Sequence, residues 1–476
     1  MAERGFLGSS ACDPRARCVF DGDARRWFTR GELQNHVAAF AEMITFSHKA
    51  LGFLFALNDV DSLVAYLAAI EAGHAIVMLN PELDCRLKSK LIDLFHPDFI
   101  IAPAAQAPET IPDYSTREVG GQIILRALEP HRHAIHPDLT LLISTSGTTG
   151  SPKLVRLSWR NLESNAQQIN AALRNTERNC AMITAPIFNG YGQSVIHSHL
   201  LVGGSFVITR ERLISREFWD IAREGGCSSI GGTPYFYQAL DRLDLDSLQV
   251  PRLTQFVQTG GRLPEVLAQK FYRIVSQRSG TLHLMYGQAE ATARITGLEP
   301  HFLPEAVRSV GKALSGGSLT VERDGTSRPN EEGELIYEGP NVMMGYATHP
   351  DDFQRGDLLG GRLATGDLGY RDDRGLFYIT GRKARFVKLF GWRICLDDIE
   401  DMLSYTGPVA AVNEEERIII YTERSSAALA EPVQQLATKL RIHHSGFEIR
   451  SVGTIPRLAN GKVDYRSLVP ALTLPV

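Results

Sequence analysis

Leu141-Leu142-Ile143-Ser144-Thr145-Ser146-Gly147-Thr148-Thr149-Gly150-Ser151-Pro152-Lys153 carries an apolar run into a tract of hydroxyls and glycines that closes on a lysine. The apolar run has the length and composition of a buried strand. The tract after it is suited to a polyphosphate: glycines let backbone N–H groups approach oxygens, hydroxyls donate further bonds, and Lys153 brings positive charge. A Walker A loop would end in Gly-Lys-Ser/Thr, whereas Lys153 here follows Pro152 and precedes Leu154. A plain surface loop can share this composition. The preceding strand and the ordered Pro-Lys ending favour a ligand loop.

Around this stretch the pattern alternates between strand and helix. Thr29 and Glu32 form a capping-box pair, and Leu33, Val37, Phe40 and Ile44 then recur at helical spacing. Leu51 to Leu57 predicts a strand, a helix runs from about Asp61 to a C-cap at Gly73, and Ala75 to Leu79 predicts a second strand. Strand, helix and strand in that order build a parallel sheet. The alternation continues through strand-like runs near Phe99, Leu141, Met182, Val207, Phe256 and Leu284. From Ser309 to Tyr378 short strands and Gly-rich turns predict an antiparallel or barrel-like annex. Beyond Gly381 a small α+β segment is expected. The fold class is therefore α/β.

Composition narrows the function. The chain has 476 residues, 43% hydrophobic and 22% charged, with 50 basic against 54 acidic residues and a net charge of -4. Two or three domains are expected. No basic block invites nucleic acid. The six cysteines form no Cys-x-x-Cys pair and no metal-like spacing, which suits a reducing cytoplasm. The opening MAERGFLGSSACDPRAR lacks a signal-peptide core, and Asp59, Asp61 and Glu71 interrupt the most apolar stretch, so no integral membrane contact is expected.

Further segments carry chemistry. In Met285-Tyr286-Gly287-Gln288-Ala289-Glu290, an aromatic beside a glycine can stack on a purine and a carboxylate close by can hold Mg²⁺. Ala364-Thr365-Gly366-Asp367 places a carboxylate on a tight turn, where it can accept both hydroxyls of a ribose. Pro456-Arg457-Leu458-Ala459-Asn460-Gly461-Lys462 ends on a lysine projected by an Asn-Gly turn, able to bridge a carboxylate and a phosphate.

The loop from Ser144 to Lys153 resembles the phosphate loop of the adenylate-forming superfamily, which includes acyl-CoA synthetases, aryl-acid ligases, nonribosomal peptide adenylation domains and firefly luciferase. The other motifs come in that family's order over roughly residues 29 to 466. The resemblance implies a large N-terminal AMP-binding domain, 1–382, and a small C-terminal domain, 383–476, that rotates about a hinge at Lys383. It implies that Thr145, Ser146, Gly147, Thr148, Thr149, Gly150 and Lys153 hold phosphates. Gly261, Arg262, Tyr286, Gly287, Asp367 and Arg382 would bind ATP or AMP, with Arg382 helping to hold ribose and Arg262 left between phosphate, the substrate carboxylate and solvent. Glu290 and Thr145 would attend Mg²⁺, Lys462, Glu290 and Arg382 would be catalytic, and Gly391 would line a pantetheine tunnel. Departures from the pattern are Ala289 for a threonine, Arg262 for a small residue and Cys395-Leu396 after the Gly391 strand.

The expected reaction is ATP-dependent conversion of a carboxylic acid to an acyl-adenylate and pyrophosphate, followed by transfer to a thiol. Asn189, Tyr191, Tyr235, Phe236, Gln258 and Gly260 are the candidate acid pocket. No carboxylate stands where amino-acid-activating relatives carry one, so an aryl or fatty acid is preferred. The acceptor is left between coenzyme A, the phosphopantetheine of a free-standing acyl or peptidyl carrier protein, and an amine; no attached carrier domain is expected. Amino-acid adenylation and a non-catalytic nucleotide-binding relative stand as alternatives.

Overall fold

The structure is a computed structural model that describes residues 5–7, 13–108, 111, 113–131, 133–144, 153–243, 245, 248–323, 329–389, 392–414, 417–440, 443–458 and 461–468. Two compact units emerge from the packing: Met1–Leu319 with Tyr337–Leu363, and Thr320–Ile336 with Ala364–Val476.

The first unit is built on two sheets. In one, the strands Leu51–Phe55, Ala75–Leu79 and Leu139–Ser144 run parallel, with Leu51 opposite Ala75 and Ile76 opposite Leu141. Leu51–Phe55 and Ala75–Leu79 are buried at every position, as strands covered on both faces must be. The predicted helix between them spans Val60–Glu71; Asp59 caps it by accepting the Ser62 N–H at 2.8 Å. The capping box at Thr29 and Glu32 forms as expected, opening the helix Arg30–Met43.

In the other sheet the strands Arg17–Asp21, Cys180–Met182, Ser205–Ile208, Ser229–Gly232, Gln255–Gln258 and Thr281–Tyr286 run parallel. Helices such as Val60–Glu71 and Gly190–Leu201 share one buried cluster with both sheets, joining Ile76 and Leu141 of the first to Ala181 and Phe206 of the second. Ligands in such sheets bind beyond the carboxyl ends of the strands. Those ends carry Gly232, Gln258 and Tyr286.

The expected annex is a four-stranded sheet of Ser318–Glu322, Gly333–Glu338, Arg362–Arg371 and Phe377–Arg382. Its last two strands pair antiparallel and belong mostly to the second unit, as does the stretch from Gly333 to Ile336. The packing boundary therefore differs from a cut at Lys383: the strands before Lys383 pack with the segment after it. The rest of this unit is the sheet Val409–Glu414, Arg417–Thr422 and Phe447–Ser451, backed by the helices Leu396–Leu403 and Ser426–Leu440 around Ile399, Ile418, Ile420 and Leu436. Among the described residues no helix is long and apolar enough to cross a membrane.

Candidate active site

Tyr286 closes its strand at the carboxyl edge of the sheet, and Gly287 turns the chain away. A Cβ on Gly287 would lie 2.0 Å from the Ala293 carbonyl oxygen, so this turn tolerates only glycine. The turn delivers Glu290 on the short helix Ala289–Ala291, whose backbone is pinned by the Met343 N–H donating to the Glu290 carbonyl at 2.9 Å. The Tyr346 hydroxyl donates to Glu290 Oε1 at 2.8 Å. Tyr346 lies opposite Val155 in an antiparallel pair, which brings its ring under Lys153, with Nζ 3.4 Å from the ring centroid. A lysine, a phenol and a carboxylate from three distant segments thus meet. Burial, and then the Glu290 carboxylate, push the Tyr346 phenol well above its ordinary pKa, so it stays a donor.

The predicted acid-pocket residues divide. The chain ahead of the helix Gly190–Leu201 is latched by Asn58, which donates to the Ala185 carbonyl and accepts the Ile187 N–H. Asn189 is the residue before that helix, and its buried Nδ2 has no hydrogen-bond partner. Tyr191 reaches the end of the strand Ser229–Gly232, where a Cβ on Gly231 would come within 2.5 Å of its hydroxyl. Phe236 is buried against Gly232, while Tyr235 is half exposed. Gln258 is buried, and its Nε2 donates to the Gly261 and Thr259 carbonyls at 2.7 and 3.1 Å. Its amide thus holds the turn of Gly260 and Gly261. Arg262 is exposed.

In the second unit, Asp367 is buried with its carboxylate 3.0 Å from Arg382 Nε, and the two residues face each other across the strand pair. The Thr365 hydroxyl accepts the Asp367 N–H and donates to the Leu335 carbonyl. Glu334 accepts the Gly366 N–H through Oε1 and pairs with Lys383 Nζ through Oε2 at 3.1 Å. Lys462 is exposed on a tight turn: Gly461 takes a φ of +80°, its N–H donates to the Leu458 carbonyl, and Leu458 donates to the Lys462 carbonyl. Thr145, Ser146, Gly147, Thr148, Thr149, Gly150 and Gly391 lie outside the described residues.

The family model for AMP-binding enzymes matches residues 8–347. The chain belongs to the AMP-binding enzyme family. Among relatives of this AMP-binding enzyme, a 2-succinylbenzoate–CoA ligase of Geobacillus sp. (strain WCH70) is 28% identical over 420 residues, covering 85% of this chain and 80% of its own. A sulfoacetate–CoA ligase of Cupriavidus necator is 29% identical over 347 residues, covering 69% of this chain and 66% of its own. The fold matches that of the o-succinylbenzoate CoA synthetase MenE of Bacillus subtilis, solved with its acyl-adenylate intermediate, at a TM-score of 0.77, 21% identity and 99% coverage of both chains. It also matches ATP-bound MatB of Rhodopseudomonas palustris at a TM-score of 0.76, 21% identity and 98% coverage of both. The expected α/β fold and acid–thiol ligase class agree with these findings.

The site also suits the divalent cation that such chemistry uses. Among the described residues the Glu290 side chain takes one hydrogen bond, from Tyr346, and no ion pair. No cluster of three metal-ligating side chains occurs among them. One carboxylate and few other protein ligands is how Mg²⁺ is held when phosphate oxygens and water complete its shell.

Sequence reading missed three residues. Tyr346 and Glu334 sit in segments that read as purely structural, and their partners emerge only from strand pairing. Arg294, fully buried beside Tyr191, carries no motif.

Proposed function

We propose that this AMP-binding enzyme joins a carboxylic acid to ATP as an acyl-adenylate, releasing pyrophosphate, and then transfers the acyl group to the thiol of coenzyme A. The observation that carries this reading is the meeting of Lys153, Tyr346 and Glu290 at the carboxyl edge of the parallel strands. A carboxylate is a poor electrophile because its leaving group would be oxide. Attack of its oxygen on the α-phosphorus expels pyrophosphate and leaves AMP as a good leaving group for the thiolate.

In this reading Thr145 to Gly150 and Lys153 hold the β- and γ-phosphates. Glu290, with Thr145, holds Mg²⁺, which offsets phosphate charge when bound; Tyr346 fixes the orientation of the Glu290 carboxylate. Tyr286, Gly287, Gly261 and Arg262 border the adenine. Asp367 accepts the ribose hydroxyls, steadied by Arg382. Lys462 neutralises the approaching carboxylate and α-phosphate oxygens. Rotation at Lys383 then withdraws Lys462 and opens a thiol path along Gly391. An aryl or aliphatic acid fits the absence of a carboxylate for an α-ammonium, and the ligases named for 2-succinylbenzoate and sulfoacetate support an acid other than an amino acid. They also support coenzyme A over a carrier protein as acceptor. Cys85, Cys180, Cys227 and Cys395 form no disulfide, which supports a cytoplasmic setting.

Acid-dependent ATP–pyrophosphate exchange across aryl, aliphatic and amino acids tests the reading. Exchange with at least one acid, with AMP as nucleotide product, is expected. ATP binding without exchange for any acid would establish a non-catalytic relative instead.

A further inference from the structure

Arg294 is buried to 2% exposure, yet its neighbours are neutral. Nη1 touches Met285 Sδ at 2.8 Å, Nη2 reaches Ser194 Oγ at 3.4 Å, and the guanidinium carbon lies 4.9 Å from the Tyr191 ring centroid. Nε has no hydrogen-bond partner, and among the described residues no carboxylate pairs with the group. Burial draws its pKa below the ordinary arginine value, but a guanidinium stays protonated in proteins. A buried cation without a counter-charge is a costly arrangement, one that folding alone would not favour.

The same side chain lines a cavity of about 20 Å³ with Tyr191, Ser194, Ser198, His199 and Gly231. Holding one water takes roughly 10–15 Å³, so the space suits one or two oxygen atoms. His199 Nε2 is a second buried polar atom without a partner here; its Nδ1 is engaged with the Val195 carbonyl. Water can fill the space but cannot balance the charge. Tyr191, a candidate acid-pocket residue, borders the cavity and is only partly buried.

We propose that Arg294 is the specificity residue of the acid site, receiving a second oxyanion, a carboxylate or a sulfonate, carried by the acid at the end remote from the carboxyl group that reacts. This rests on the adenylation reading. The reacting carboxylate has to reach the nucleotide and cannot be buried on Arg294, whereas a second anionic group can. Entry of that group would give the guanidinium its counter-charge, with the Tyr191 hydroxyl as a further donor; the Ser194 hydroxyl is already spent on the Tyr191 carbonyl. Acids lacking it would leave the cation unpaired, and sites built around a polar partner reject analogues that lack it.

Matched acids test this by pyrophosphate exchange: glutarate against pentanoate and benzene-1,2-dicarboxylate against benzoate for the carboxylate arm, 3-sulfopropanoate against butanoate for the sulfonate arm. In at least one pair the dianion should exceed its partner in kcat/KM by about 100-fold or more. Arg294→Met should abolish that preference while raising or sparing the monoanion, and Arg294→Lys should keep part of it. Equal or better use of the monoanion in every pair overturns the proposal, as does an equal loss for both members in Arg294→Met. Where Arg294→Met does not fold, the wild-type ratio and Arg294→Lys decide. Exchange with no acid at all sinks the adenylation reading instead. Thermal stabilisation of the wild-type protein by a dianion but not its monoanion then supports the subsite, and no such difference overturns it.

Discussion

Tyr346 spends its hydroxyl on Glu290 and its ring on Lys153, so one phenol serves both ends of the charge pattern that would meet Mg²⁺ and triphosphate. Tyr346→Phe keeps the ring and deletes only the donor. A hydrogen bond to a charged group is worth about 1.5–3 kcal/mol, so the expected loss is roughly ten- to a hundredfold in pyrophosphate-exchange rate. Much of it should be recovered at high Mg²⁺, because the lost function is orientation of a ligand. A Mg²⁺ titration of both proteins reads this directly; an unchanged Mg²⁺ dependence would remove Tyr346 from the metal's surroundings. Glu290→Gln should lose more and recover less. Lys153 and Glu290 are legible in the sequence because each sits in a short segment whose residue types suit its chemistry. Tyr346 is not, since its importance depends on a pairing with Val155 far away in the chain. Arg294 is invisible for a related reason: only burial reveals that its charge is unbalanced.

At the scale of elements, the helix Gly190–Leu201 illustrates what periodicity cannot tell. It is buried on nearly all sides, so no apolar stripe marks it, and it carries two histidines into the core. Burial holds His197 down to about 3 and His199 to about 4, with Tyr66 hydrogen-bonded to His197 Nε2 at 2.8 Å. Both rings are therefore neutral in the folded chain at pH 5, whereas unfolded histidines near pKa 6.5 would be protonated. The unfolded state binds more protons below pH 6.5, and stability should fall as the pH drops from 6.5 towards 4. The expected loss is about 2 kcal/mol per histidine at pH 5. Melting of the wild type and of His197→Gln at pH 7.5 and pH 5 checks it: the variant should be less stable at neutral pH but show a shallower decline. Equal declines would place the acid sensitivity elsewhere. Gly287 makes a sterner case, because the turn reads in sequence as a nucleotide contact but is first a packing constraint. Gly287→Ala forces a methyl against the Ala293 carbonyl and should cost roughly 1–3 kcal/mol or more, as overpacking does, visible as a lower denaturant midpoint.

At the scale of the whole molecule, the residues of the proposed reaction are shared between two compact units: Lys153, Tyr286 and Glu290 in one, Asp367, Arg382 and Lys462 in the other. Motif order in the sequence makes the partition of function readable, but not the partition of packing. The strand Phe377–Arg382 looks like the end of the first domain by motif, yet packs with the second unit. Lys383, next along the chain, is held there by Glu334. A chain that uses one unit to present Lys462 and then to admit a thiol must separate its two half-reactions by mutation. In the proposed reaction, removing the Lys462 charge would take away stabilisation of the phosphate transition state. Lys462→Ala should therefore lower acid-dependent pyrophosphate exchange by about 10²–10³-fold, in line with the loss of one electrostatic stabiliser. Thioester formation from supplied acyl-AMP should stay near wild type, because that step no longer needs a lysine at the α-phosphate. Gly391→Trp should do the reverse, sparing exchange and blocking the thiol. Single-turnover assays of each half-reaction with both variants decide the matter. If Lys462→Ala loses both steps equally, the same arrangement serves both, and rotation at Lys383 has no part in the cycle.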